Sequence, residues 1–366
     1  MLLPSTANLP GSGLLLLTRE ISSTARSKTT GTGWVTSLLS VAAAIIFGVV
    51  LALHGRDFIA ALDRALHANW QLVAVGALFE AGSVGGYVLL LHRVVSGASP
   101  RLRLKDSYDI TLAGTAATRL LPTAGLGGVA VTVWALRAHG VRPQELAERL
   151  LAFLLLLYAV YVAALVTCGG AVALGLVSVG HGRALGIVGT VVGIGITLAV
   201  LGLVAAPALL GGALGRTGQG SGRLARAARR AKEQLPAVRR ALRRSWLELR
   251  RPHAALLGAL AWWGFDIAVL FTMLHAFGVV LPLPGLVLAY FLGTMLNVLP
   301  IPGSLSGGLI GALLALGTPA GATIAAVLGY RAVAVWLPAA SGLASIGTLR
   351  SSVARWRTEA QAAPAC

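Results

Sequence analysis

Residues 297–309 read Asn297-Val298-Leu299-Pro300-Ile301-Pro302-Gly303-Ser304-Leu305-Ser306-Gly307-Gly308-Leu309, between the apolar stretches 285–299 and 303–317. A second such place is Arg119-Leu120-Leu121-Pro122-Thr123-Ala124-Gly125-Leu126-Gly127-Gly128, between 107–121 and 124–138. Each arm has about 15 residues, roughly 22 Å of helix at 1.5 Å per residue, which is short of a membrane span. Proline removes a backbone donor and glycine permits a turn, so each cluster is expected to be the tip of a helical hairpin. Non-helical backbone at membrane depth survives only where protein buries it or water reaches it. The two tips are therefore expected to mark an internal cavity. The competing reading is a pair of tilted complete spans with the loop outside.

The rest of the chain is membrane-like. Of 366 residues, 56% are hydrophobic and 11% charged, against about 25% charged in soluble domains. Six further runs are long enough to cross about 30 Å of hydrocarbon: 34–53, 70–91, 150–178, 184–206, 254–277 and 321–349. Three of them hold no charge, and the others hold Glu80, Asp266 and Arg331, one each. The expected fold is all-α and polytopic, with about six full spans and two re-entrant hairpins. Residues 1–33 are a polar, disordered cytoplasmic tail in this reading, 34–349 the transmembrane domain and 350–366 a second cytoplasmic tail. Cys168 and Cys366 build neither a disulfide nor a metal site.

The net charge of +18 could suggest nucleic acid, but the basic residues lie between apolar runs rather than on a soluble face, so no nucleic-acid partner is expected. Membrane topology explains them. The segments 1–33, 92–105, 137–149, 207–253 and 350–366 hold 25 of the 30 Lys and Arg. Starting inside, crossing at each full span and returning at each hairpin puts all five on one side, as the positive-inside rule requires. This predicts a multi-pass protein of the cell membrane with both termini cytoplasmic. The densest segment, the basic loop 207–253, suggests an amphipathic helix over about 223–250. It could gather anionic lipid, or it could simply fix topology.

The order span, hairpin, span occurs twice, at 70–178 and 254–349. Arg119-Leu120-Leu121-Pro122 aligns with Asn297-Val298-Leu299-Pro300, and Gly140 and Gly317 close the second arms. By the charge count, the first hairpin enters from the cytoplasm and the second from outside. Inverted repeats with broken helices are the layout of secondary transporters with a midplane site.

Candidate substrate contacts follow from cost and geometry. An ionisable group within a membrane costs at least about 2.5 kcal/mol on the insertion scale. Arg119 could meet a phosphate or pair with Glu80 or Asp109. Arg331 could meet the substrate or pair with Asp266. Glu80 and Asp266 are candidate proton carriers or counter-charges, with structural pairing as the alternative. Around the tips, Pro122, Asn297, Pro300 and Pro302 shape the turns. Gly125, Gly127, Gly128, Gly303, Gly307 and Gly308 would let a headgroup approach unpaired N–H groups at a helix start. Close helix packing is the other use for those glycines. The histidines His92, His139, His181, His253 and His275 show no ligand spacing. No nucleophile–base set is present either, so no metal, cofactor or enzyme activity is expected.

The segment from Leu121-Pro122 to Gly140, and that from Pro300-Ile301-Pro302-Gly303 through Tyr330-Arg331 to Pro338, resemble the lysylphosphatidylglycerol synthase/flippase-like transmembrane family. The resemblance covers most of 70–349. It implies movement of lipids or lipid-linked groups across the bilayer. Some family members carry a soluble aminoacyl-transferase domain; the residues after Arg350 are too few for one, so synthase activity is not carried over. The family's Gly-Gly-Leu-Gly run is usually followed by Glu. Here the chain reads Ser304-Leu305-Ser306-Gly307-Gly308-Leu309, and coupling through that acid is not carried over. The leading expectation is translocation of an anionic phospholipid or polyprenyl-phosphate-linked lipid, with membrane lipids as partners. The alternatives are a small-solute or ion transporter, a membrane scaffold acting through the basic loop, and a subunit serving a separate lipid-modifying enzyme. Homo-oligomers fit any of these.

Overall fold

The computed structural model describes residues 70–96, 102–120, 126–180, 182–217, 240, 243, 254–298 and 303–362. The expected span at 34–53, both tails' outer residues, most of the basic loop and the two tips (121–125 and 299–302) lie outside them. Every described element is helical: α1 (Trp70–Val95), α2 (Leu104–Leu120), α3 (Leu126–Ala138), α4 (Pro143–Ala173), α5 (Arg183–Thr217), α6 (Ala254–Ala276), α7 (Leu283–Met295), α8 (Ser304–Ala315), α9 (Ala320–Arg331) and α10 (Leu337–Ala362). A 3₁₀ turn, Leu296–Val298, extends α7, and a π-helical turn, Ala332–Trp336, joins α9 to α10. Five stretches are long and apolar enough to span a membrane: Trp70–Val95, Pro143–Ala173, Arg183–Gly202, Ala255–Ala276 and Ala320–Trp356.

The boundaries have local causes. Pro143 starts α4 at a position where its missing N–H is not needed. Gly140 and Gly317 stop α3 and α8 in the left-handed region, at φ +89° and +87°, which a side chain would resist. Past each glycine the closure is the same: Val141 N–H donates to Leu136 O and Thr318 N–H to Leu313 O. The π-helical turn ends just before Pro338, whose ring cannot tolerate a regular bond to the carbonyl four residues back. The wider turn relieves that conflict within one continuous helix.

Both short pairs form antiparallel hairpins that close on glycine. A side chain at Gly128 would strike Gly114 O and the Thr118 hydroxyl; one at Gly308 would strike Gly293 O, and one at Gly293 would lie 2.7 Å from Leu309 Cα. Such contacts let two backbones approach without apolar bulk, the usual route to tight packing in lipid. The midpoints of Gly114–Gly128 and Gly293–Gly308 fall at the two proline tips read from the sequence.

The long helices α1 and α6 cross antiparallel. Gly76 faces Thr272 and Met273, Gly82 faces Phe265, and Gly86 faces Ala261 and Gly258. The Ser83 hydroxyl donates to Trp262 O at 2.9 Å. The buried side chains form two main cores. One gathers α7, α8 and α9 around the far half of α4. The other gathers α2 and α3 with the start of α4 and the end of α10. Each hairpin thus packs on the long closing helix of the other half: α7 on α4, and α2 on α10.

Two expectations change in detail. Arg149, counted in the basic segment 137–149 between apolar runs, lies inside α4, which begins at Pro143 and buries it to 7% exposure. Its Nε and Nη2 donate to Glu145 Oε1, and Nη1 donates to Val94 O at 2.6 Å. The arginine thereby caps the last turn of α1, where carbonyls lack helical partners. The helix that holds the last expected span runs past 349 to Ala362, and Leu349, Ser352 and Val353 remain buried along it.

Candidate functional site

The candidate site is built around Asp266, near the middle of α6 and 3% exposed. A lone carboxylate is costly among apolar side chains unless donors surround it. Two neighbouring helices supply them. Tyr330, near the end of α9, donates its hydroxyl to Asp266 Oδ2 at 2.8 Å, and Tyr290 of α7 donates to the same oxygen. Both tyrosines are almost fully buried, at 2% and 1% exposure for Tyr290 and Tyr330. The other oxygen, Oδ1, is buried and accepts no hydrogen bond among the described residues. One carboxylate oxygen is thus held by phenols from two helices. The second remains in position to take a proton or meet a cation.

Aromatic rings wall this centre. Trp263 packs edge-on to Tyr290, Phe291 and Tyr161 and donates its indole N–H to Leu157 O at 2.8 Å. Tyr161 donates to Phe291 O, fixing α4 to α7. The antiparallel register of α1 and α6 sets Glu80 at the level of Asp266. Glu80 is 1% exposed, so both acids lie at one depth on crossing helices. Arg331 follows Tyr330 at the last residue of α9 and is half-buried, directly before the π-helical turn. Single π turns within helices are frequent at functional places.

The remaining candidates divide by location. Pro122, Gly125, Pro300 and Pro302 lie outside the described residues. Arg119 is the second-last residue of α2, within a turn of the first tip. Gly128 and Gly308 serve arm-to-arm packing, since the neighbouring arm occupies the space beside each. Gly127 is half-buried at the start of α3. Gly303 is exposed, adopts φ +82° as the residue before α8, and with Gly307 borders open space. Asn297 is exposed on the 3₁₀ turn. The structure therefore brings Asp266 and Glu80 to one level, with Arg331 adjoining through Tyr330, and leaves Asn297, Gly303 and Gly307 together at the second hairpin's end.

Sequence reasoning passed over Tyr290 and Tyr330 as site residues. The usable signal was that a buried phenol needs a hydrogen-bond partner, and Asp266 is the acid of the second half. The basic loop touches the described structure through Arg240, whose Nε lies 2.6 Å from Glu148 Oε1. An exposed pair of this kind contributes little stability.

Apolar helices of spanning length, paired with short hairpins around buried acids, define an all-α polytopic membrane protein. The chain belongs to the family described as lysylphosphatidylglycerol synthase TM region, whose model matches residues 34–342. No curated protein matches it.

Proposed function

We propose that the protein carries an anionic lipid, either a phospholipid or a polyprenyl-phosphate-linked lipid, between the leaflets of the cell membrane. The observation that supports this most is the doubled hairpin. Two short helix pairs cross on equivalent glycines, end on the same left-handed glycine closure, and each lean on the other half's closing helix. Taken as an inverted repeat, this gives two states of similar energy, open to opposite sides, by exchange of conformation between the halves. The family's name, which refers to the membrane region of a lipid-modifying enzyme, favours a lipid cargo. The distribution of Lys and Arg favours cytoplasmic termini.

In this reading Arg331 and Arg119 are counter-charges for the phosphate as it crosses, and Asp266 and Glu80 balance them when the cargo is absent. The paired tyrosines on Asp266 also favour a second reading, coupled movement of a proton or small solute, because they hold one oxygen and leave the other for a proton.

Purified protein in liposomes tests the proposal. A labelled anionic lipid in one leaflet should redistribute faster than in protein-free liposomes. Arg331→Ala should slow this at least tenfold, since a charge-assisted contact contributes about 1.5–3 kcal/mol, while Arg331→Lys retains most of the rate. A wild-type rate equal to that of empty liposomes removes the lipid reading. Proton uptake coupled to a small solute would then support the second.

A further inference from the structure

A second polar place lies away from the acid centre, in the seam between the start of α2 and the far end of α10. The two helices run antiparallel: a side chain at Gly342 would meet Leu112 O and Ala116 Cβ, and one core holds Ile110 with Leu349 and Val353. Where the helices diverge they leave a cavity of about 340 Å³. Arg103, Lys105 and Arg355 stand on its rim and are exposed, while Asp109 and Ser352, each 7% exposed, form its floor. Thr348 and Ser351 add hydroxyls along α10.

Charge decides what this cavity suits. Asp106, also in its wall, accepts the Arg103 backbone N–H at 2.9 Å, and Asp109 shares the cavity with Thr348, whose hydroxyl donates to Ser345 O at 2.9 Å. Arg355 Nη2 donates to Ser352 Oγ at 3.1 Å. Among the described residues none of the three cations lies within salt-bridge distance of an acid. Three cations thus face two carboxylates, an excess of one positive charge in the seam. These guanidinium and ammonium groups, with hydroxyls beside them, form the kind of donor set that phosphate oxygens accept. Burial raises the Asp109 carboxyl from its ordinary value, against the opposing pull of Lys105.

We propose that this seam is a phosphate-binding site, taking the phosphodiester of an anionic lipid headgroup or the phosphate of a small organic ester. It goes beyond the translocation reading and does not rest on it, because that reading places the cargo at the hairpins and the acid centre. An anion here would bridge the first hairpin to the last helix and so tie the two halves together on the basic face.

Native mass spectrometry of the full chain tests the proposal, after extraction from vesicles of phosphatidylglycerol or of phosphatidylcholine. Wild type should retain one phosphatidylglycerol, and R103Q/K105Q/R355Q should retain it at least tenfold less, with phosphatidylcholine unchanged. The three side chains are exposed, so the variant keeps its core. R93Q/R137Q/R142Q, which removes equal charge elsewhere on the same face, should behave as wild type. Glycerol 3-phosphate separates the sources: if it binds lipid-depleted wild type and binding falls tenfold in the seam variant, a soluble phosphate ester fills the site. Equal retention of both probes by wild type and seam variant overturns the proposal. So does equal loss in the seam and control variants. Lipid retention without translocation in liposomes would leave this site standing and remove only the transport reading.

Discussion

Removal of the Tyr330 hydroxyl tests the acid centre directly. Tyr330→Phe keeps the ring that fills the core and deletes the donor 2.8 Å from Asp266 Oδ2. A buried hydrogen bond to a charged acceptor contributes about 1.5–3 kcal/mol, whereas one to a neutral acceptor contributes about 0.5–1.5 kcal/mol. At about 2.1 cal/mol/K of unfolding entropy per residue, each kcal/mol shifts the Tm of a chain this long by about 1–2 °C, so the variant should melt about 2–6 °C below wild type. The same change in an Asp266→Asn background should cost on the order of 1 kcal/mol less, because the acceptor is then a neutral amide. Thermal unfolding in one detergent, followed by tryptophan fluorescence for all four members of the cycle, reads this coupling. If Tyr330→Phe lowers Tm equally in both backgrounds, the hydroxyl is not bound to a charged carboxylate, and the account of Asp266 fails.

Other consequences can be checked on the same preparations. Gly308→Ala and Gly128→Ala should each destabilise by about 1–3 kcal/mol through overpacking, whereas Gly311→Ala, whose added methyl meets nothing within 4 Å, should melt at or above wild type; equal losses at all three would refute the glycine-closed hairpins. Retention of phosphatidylglycerol should strengthen as the pH is lowered, and from a higher pH than an ordinary carboxyl would give, because burial raises Asp109 and its protonation removes negative charge from the seam. Asp109→Asn should flatten that dependence and bind more tightly at pH 7. Asp106 in the cavity wall, His139, edge-on to Trp356 next to Arg355, and His92, bonded to Ser107, are the other titratable groups near the seam. A pH response that survives in the Asn variant would therefore assign it to Asp106 or a histidine.

The hairpins were legible because their signal is local and doubled. Two proline–glycine clusters between arms too short to span fix the arms to within a few residues, and Gly140 and Gly317 mark their ends by backbone conformation alone. The buried acids were legible for a different reason: a charge inside an apolar run has no cheap explanation. Their surroundings were not legible. Which of the tyrosines meets Asp266 depends on how α7 and α9 rotate against α6, and periodicity carries no such information when every face of a helix is apolar. The burial of Arg149 was not legible either, because its apolar run begins after it, and it is Glu145 and Val94 that hold it inside. The seam between α2 and α10 joins residues more than two hundred positions apart. Only the packing of one half on the other brings them together.

The opposed entry of the two hairpins underlies the transport reading, and cysteine accessibility measures it most directly. In a chain with Cys168 and Cys366 replaced by serine, single cysteines at Thr123 and at Ser304 would be exposed to an impermeant thiol reagent from each side of sealed vesicles. The account predicts slow labelling of both, with Thr123 reached from the cytoplasmic side and Ser304 from the opposite side. Rapid labelling of Thr123 from outside, or labelling of both positions from one side, would contradict it.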